Sequence, residues 1–286
     1  MATDVQAVPR SAVPTLVIEP SKGWVRLGLR ELWRYRELLY FLTWKSILIQ
    51  YKQAVLGVAW AVLNPVLTMI VFTVIFNRIL HVGTGNYDVA YPVFVYAGLL
   101  PWNLFSGSLS SAGTSLVGNA NLITKVYFPR LVIPGSAVLG NVPNFLISFV
   151  VLVVLMAGFR VVPTWNVVFL PFFTLLALLT AMGVSLWLSA LYVLYRDVQY
   201  IIPFLVQIWM YVSPVMYPTS KIPKGWPSVV FSLNPMTGVV GGFRWALFGE
   251  QAPNSLFWVS AFMVLVLFVS GLYYFRRMER VFADLV

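Results

Sequence analysis

Gln50-Tyr51-Lys52-Gln53-Ala54-Val55-Leu56-Gly57 leads into a run from Val58 to Phe76 that is apolar except at Asn64-Pro65. From Val55 to Phe76 there are about 22 residues, which at roughly 1.5 Å each make about 33 Å of helix, enough to cross the hydrocarbon core of a bilayer. The stretch is a membrane helix by length and composition. Lys45, Tyr51 and Lys52 stand at its entry, so the positive-inside rule places its start in the cytoplasm and Asn77-Arg78 at the far side.

The composition extends that reading to the whole chain. Of 286 residues, 60% are hydrophobic and 10% charged, against about a quarter charged in soluble domains. This describes an all-α, multi-pass membrane protein. The nine acidic residues, Asp4, Glu19, Glu31, Glu37, Asp88, Asp197, Glu250, Glu279 and Asp284, fall in tails, at helix ends or in loops. Ion-coupled carriers keep carboxylates or histidines at membrane depth, and the one histidine, His81, follows the first span. That weighs against a secondary transporter. The net charge of +10 comes from basic residues that flank spans, which fits anchoring to membrane lipids and gives no reason to expect nucleic acid. Without cysteine there is no disulfide, thiolate nucleophile or cysteine-bound metal, and the redox compartment stays open.

Residues 1–21 are polar and proline-bearing and read as a disordered cytoplasmic tail. From Lys22 to Lys45, Lys22, Arg26, Arg30 and Arg34 recur every four residues opposite Val25, Leu29, Leu32 and Trp33, as in an amphipathic helix lying in the interface. A solvated helix packed on a partner is the other reading of that pattern. Further spans are expected at about 91–111, 131–159, 167–194, 198–217 and 255–275, with kinks at Pro134 and Pro143 in the third of the six. The second is rich in Gly and Ser, which lets helix backbones approach closely. Gly107 to Ser115 has the look of a phosphate loop but lacks the lysine and the glycine spacing, so no nucleotide site is assigned there. Thr219 to Gln251 is apolar yet cut by Pro223, Pro227 and Asn234-Pro235 into pieces too short to span. Two half-helices re-entering from the outer face, or one irregular external loop, would both fit.

Orientation follows from the charges. Arg10, Lys22, Arg26, Arg30, Arg34, Arg36, Lys45, Lys52, Lys125, Arg130, Arg196, Arg276, Arg277 and Arg280 fall on the inner side. Arg78, Arg160, Lys221, Lys224 and Arg244 fall outside, so both termini are cytoplasmic. The inner segment Leu116 to Arg130 is too polar to span and too apolar to float free, which describes a short docking helix bounded by Gly118 and Pro129. On a helix of about two turns, Leu122, Val126 and Ile123 would form an apolar face with Lys125 and Arg130 at its rim.

Three blocks carry a resemblance: Tyr51-Lys52-Gln53-Ala54-Val55-Leu56-Gly57-Val58-Ala59-Trp60 with Asn64-Pro65; Asn119-Ala120-Asn121-Leu122-Ile123-Thr124-Lys125-Val126-Tyr127-Phe128-Pro129-Arg130; and Tyr195-Arg196-Asp197-Val198. Together they resemble the type-2 ABC exporter permeases, in particular the branch that exports O-antigen, teichoic acid and capsule polysaccharides. The likeness runs from about Arg30 to the end; family members often carry Arg-Asp where this chain has Lys45-Ser46. It implies a homodimer in the cytoplasmic (inner) membrane, bound to two copies of a separate ABC ATPase that uses ATP and Mg, with no cofactor on this chain and a lipid-linked polysaccharide as substrate. It also implies that Asn119, Asn121, Leu122, Lys125, Val126, Tyr127, Pro129 and Arg130 form the ATPase-coupling segment, and that the first and fifth spans line the channel.

A sliding polymer needs aromatic faces and weak polar contacts. Phe72, Phe76, Gln207, Trp209, Tyr211 and Tyr217 are the candidates on those two spans; facing lipid is the plainer use of such residues. An integral-membrane transferase acting on a lipid-linked sugar is the alternative from another class, and a stand-alone channel a third. A transferase needs a base or metal near the surface, and Asp88, Asp197 and Glu250 are far apart in sequence. Impermeant thiol labelling of single-cysteine variants checks the topology: Lys125→Cys and Arg280→Cys are expected to label from the cytoplasm and Lys221→Cys from outside. Labelling of position 125 from outside would overturn the six-span arrangement.

Overall fold

A computed structural model describes residues 33–52, 57–85, 87–223, 225–249, 255–279 and 282. The expected tail, the interfacial helix up to residue 32 and the first residues of the first span lie outside them. Among the described residues the secondary structure is entirely helical. Following α1 (Arg36–Lys52), α2 (Gly57–Phe72) continues through a π-helical turn, Thr73–Ile79, three residues past the expected end. Pro65 within α2 lacks the N–H that would bond the Ala61 carbonyl. Ser148 of a neighbouring helix donates to that carbonyl at 3.4 Å, so the gap is filled from outside the helix, as membrane depth requires.

The central helix is α3 (Tyr91–Gly113). Ala90 before it is extended, Pro92 starts it, and most of its side chains are buried, Trp102, Phe94 and Phe105 among the largest. After α4 (Ser115–Gly118) and α5 (Ala120–Lys125) come α6 (Val132–Leu139) and α7 (Val142–Gly158). Their junction at Gly140-Asn141 is the break in the expected third span. Pro143 sits in the first turn of α7 and Pro134 in the first turn of α6, positions where no N–H is needed, so each proline starts a helix and the break falls where α7 starts directly after α6. Beyond a 3₁₀ turn, Trp165–Phe169, α8 (Leu170–Leu194) packs between α3 and α12 (Ser255–Met278).

Two glycines set the α8–α12 distance. A Cβ on Gly271 would run into the Gly183 carbonyl, and one on Gly183 would lie 2.7 Å from the Leu267 backbone. Trp187 and Tyr274 stack beside them at 4.1 Å, with the Trp187 indole N–H donating to Ser270.

Among the described residues, four helical runs are long and apolar enough to cross a membrane: Ala59–Ile79, Val132–Gly158, Trp165–Leu194 and Ser255–Met278. At 23 residues α3 has the length, but Ser, Gly, Pro and aromatic residues make it less apolar, and it lies inside the bundle. The expected fifth span is a shorter helix, α9 (Val198–Val212), followed by a turn. Thr219 to Gln251 contains α10 (Trp226–Leu233) and α11 (Pro235–Phe248). Asn234 caps α11 by accepting from the Met236 N–H at 3.0 Å, and Gly249, left-handed at φ 77°, ends it.

Arg244 on α11, counted above among the outer charges, is 1% exposed and serves as a buried anchor. Its Nη1 donates to the carbonyls of Pro214 and Tyr217 at 2.7 and 3.3 Å, its Nη2 to Val215 at 2.5 Å and its Nε to Phe94 at 3.3 Å. Tyr91 donates to the remaining carbonyl of that turn, Met216, at 2.6 Å. The guanidinium also lies 3.6 Å from the centre of the Phe94 ring. Four consecutive carbonyls of a non-helical segment are thus satisfied by side chains from α3 and α11. Arg244→Met is expected to destabilise the fold by about 3 kcal/mol or more, and Arg244→Lys, with fewer donors, by less. The melting temperature of the detergent-solubilised protein measures it; a melt unchanged in the Met variant would show that the clamp carries little.

Candidate functional site

Two surfaces were singled out by the sequence, and the structure treats them differently. The first is the segment from Ser115 to Arg130. Asn119 joins α4 to α5: its side chain donates to the Ser115 carbonyl at 2.8 Å, and its own carbonyl accepts from Leu122 at 2.9 Å and Ile123 at 3.2 Å. The helix ends at Lys125, because Val126 is extended (φ −132°, ψ 132°) and Phe128 precedes Pro129, which disfavours helix there. The continuous two-turn helix expected from the sequence is therefore cut short, and its apolar face is divided. Ile123 and Phe128 are buried against Leu116, Leu131 and Phe275, with Leu122 at the edge of that cluster. Asn121, Thr124, Lys125 and Val126 are exposed, and Tyr127 is 93% exposed. An apolar pair, Val126-Tyr127, standing out from a segment pinned on both sides is what a docking tip needs.

Arg130 does not stand at a free rim. Its backbone N–H donates to Glu279 Oε1 at 3.0 Å, its guanidinium donates to the Glu279 carbonyl, and it lies over the Phe282 ring at 6.0 Å. Glu279 in turn pairs with Arg276 at 2.8 Å. Pro129 is half-buried beside it. The segment is consequently tied to the end of α12.

The second surface is the expected channel lining. On α9 one face is open: Tyr200, Ile201, Phe204, Gln207, Ile208 and Tyr211 are exposed, and a shallow apolar groove of about 460 Å³ runs along it from Ile201 to Val212. Gln207 and Tyr211 are exposed beside this groove without lining it. Trp209 lines the groove but is half-buried, edge-on to Phe105 at 5.1 Å, with its indole N–H donating to Asn234 Oδ1 at 2.9 Å. Asn234 also donates to Ser213 Oγ at 2.9 Å, so Trp209 serves the joint between α9 and the α10–α11 segment. Tyr217 is half-buried and donates to the Tyr211 carbonyl at 3.3 Å. On α2, Phe72 is buried in the main core and meets Phe76, in the π turn, at 5.9 Å and 85°.

Sequence reasoning missed Tyr200 and Phe204 on the open face; their spacing from Gln207 and Tyr211, at helical intervals, was the available signal. Among the described residues no group of three or more His, Asp or Glu is placed to hold a metal. The geometry offers surfaces for docking and sliding.

Comparison with known proteins matches the ABC-2 type transporter model over residues 37–248. The chain is 32% identical over 254 residues to an O-antigen export system permease protein, RfbA, of Myxococcus xanthus, covering 88% of this chain and 96% of that one. A Klebsiella pneumoniae protein of the same name is 28% identical over 87% of this chain and 95% of its own length. The Escherichia coli polysialic acid transport protein KpsM is 25% identical over 82% and 91%. With the family model covering most of the chain and these relatives matched nearly end to end, the chain belongs to the ABC-2 type transporter family, as a membrane subunit.

Proposed function

We propose that this chain is the permease of an ATP-driven exporter that moves a lipid-linked polysaccharide of O-antigen type across the cytoplasmic membrane. The observation that carries the proposal is the match over 96% of the length of an O-antigen export permease. The pinned segment with its exposed Val126-Tyr127 tip supports it by giving a motor somewhere to push. In this reading α3 and α9 complete six spans with the four long apolar helices. The α10–α11 pair re-enters from the outside, α1 continues an interfacial helix, and both termini are cytoplasmic. Two copies form the transporter, and two copies of a separate ATPase bind ATP and Mg.

Asn119, Asn121, Leu122, Lys125, Val126, Tyr127, Pro129 and Arg130 couple to that ATPase in two roles. Asn121, Lys125, Val126 and Tyr127 meet it, while Asn119, Leu122, Pro129 and Arg130 hold the segment in place. The channel is lined by the open face of α9, with Gln207 and Tyr211, and by α2, with Phe76 and Tyr217 near its outer end and Phe72 and Trp209 backing it. Integral-membrane transferase chemistry finds no support in the geometry described.

Truncating a buried interface anchor costs about 2 kcal/mol or more, which is at least about thirtyfold in affinity. Val126→Asp with Tyr127→Ala is therefore expected to leave the permease inserted while the ATPase no longer co-purifies and surface polysaccharide is lost. Retention of the ATPase at wild-type stoichiometry and salt resistance would remove this tip from the interface. Gln207→Ala with Tyr211→Ala, on the α9 face, is expected to keep the ATPase bound and lower export; normal surface polysaccharide would assign that face to lipid.

A further inference from the structure

Between α2, α3 and α7 the bundle leaves a cleft of about 440 Å³, within the roughly 300–1,000 Å³ of small-molecule sites. Its lining is unlike the rest of the apolar interior: the carboxamides of Gln50, Asn64, Asn103, Asn141 and Asn144 share it with the ring of Trp60. None of the described residues that line it is charged. Asn64 stands seven residues into α2 and Asn103 ten residues before the end of α3, so both lie about 10–15 Å along helices of membrane-crossing length. This is membrane depth, where an unpartnered amide is costly.

Two of these amides are already committed. Asn141 donates to Ser111 Oγ at 2.7 Å and to the Ala137 carbonyl at 2.9 Å, and Asn144 accepts from the Tyr51 hydroxyl. The side chains of Asn64 and Asn103 bond to no other described residue; the bonds formed at those positions use their backbone carbonyls. Trp60 is 56% exposed, which leaves an aromatic face free at the cleft.

Carboxamides offer a donor and an acceptor side by side without net charge, the pattern that neighbouring hydroxyls of a sugar ring complement. An aromatic face suits the apolar C–H face of the same ring. A diphosphate would call for a cation or an array of backbone N–H groups, and the lining has no cation. We infer that this cleft is a binding site for a neutral sugar unit of the transported glycan, held by Asn64 and Asn103 and stacked on Trp60. The inference rests on the export reading and adds to it a second contact region away from the α9 face.

The test uses the full transporter in cells that make the polysaccharide. A diazirine amino acid replacing Asn103 is expected, on illumination, to form an adduct that shifts the permease to higher mass and is removed by periodate cleavage of the glycan. The same residue replacing Val150, exposed on α7 and outside the cleft, is expected to form none. In parallel, Asn64→Leu with Asn103→Leu is expected to lower surface polysaccharide at least ~tenfold at unchanged membrane level and ATPase content, with Trp60→Phe milder than Trp60→Ala.

Wild-type export with no glycan adduct at position 103, or with phospholipid adducts alone, would overturn the site and leave the export reading standing. Failure of the wild-type chain to restore surface polysaccharide to cells that lack it would overturn both.

Discussion

An arginine with no carboxylate partner among the described residues, inside an apolar bundle, is a severe constraint, and the joint between α3, α9 and α11 is arranged around meeting it. Arg244 needs acceptors for its N–H groups, and the turn from Pro214 to Tyr217 needs donors for its carbonyls. Each cures the other's deficit, with Tyr91 supplying the one donor that Arg244 cannot. Gly98 is part of the same arrangement, since a Cβ there would sit 2.6 Å from the Arg244 guanidinium. Because α9 ends in that turn, the direction in which its open face points is fixed by a residue on another helix.

Around this anchor the chain divides its polar groups by task. Side chains that fill gaps in the backbone ladder, such as Ser148 at the Ala61 carbonyl and Asn234 at the start of α11, are spent within the fold. Those left on open faces, Gln207 and Tyr211 on α9 and Asn64 at the cleft, carry no charge. Neutral, dispersed and aromatic-flanked contacts suit a ligand that must pass through without being trapped. An ionic cluster forms instead at the end of α12, where Glu279 pairs with Arg276 and holds Arg130.

Much of the helical architecture could be read from the sequence, because long apolar runs have one stable form in a bilayer. The runs around Val58 to Phe76 and Ser255 to Phe275 appear as α2 with its π-helical turn and as α12, each a few residues longer than its apolar core. What could not be read depends on partners distant in sequence. Pro134 and Pro143 look alike in the sequence and both fall in the first turn of a helix, but only the second starts a helix directly after another and so marks a break. Trp209 and Tyr211 are both aromatic residues on one helix, and Asn234 decides that the former turns inward. Arg244 was legible in part: a lone cation in the apolar stretch Val239 to Leu247 is a sign of burial with a purpose, and the charge count passed over it. In the Leu116–Arg130 segment the X-Pro rule at Phe128-Pro129 was enough to foresee that the helix would stop early, and the periodicity of Leu122 and Val126 obscured it.

The bonding at the two ends of α12 has a mechanical consequence. Near its start, Ser260 donates to the Ser232 carbonyl at 2.7 Å and reaches Asn234 at 3.4 Å, which fastens it to the α10–α11 joint. At its other end Glu279 holds Arg130, and through it the segment that carries Tyr127. Eighteen residues of unbroken helix, up to Met278, lie between Ser260 and Glu279, about 28 Å of rod. Gly183 and Gly271 press its middle against α8, with no side chain between them to act as a cushion. A helix in tight backbone contact cannot bend there or slide without moving its neighbour. The rod and α8 therefore form one stiff beam, and a displacement imposed at Arg130 arrives at Asn234 as displacement, not as slack.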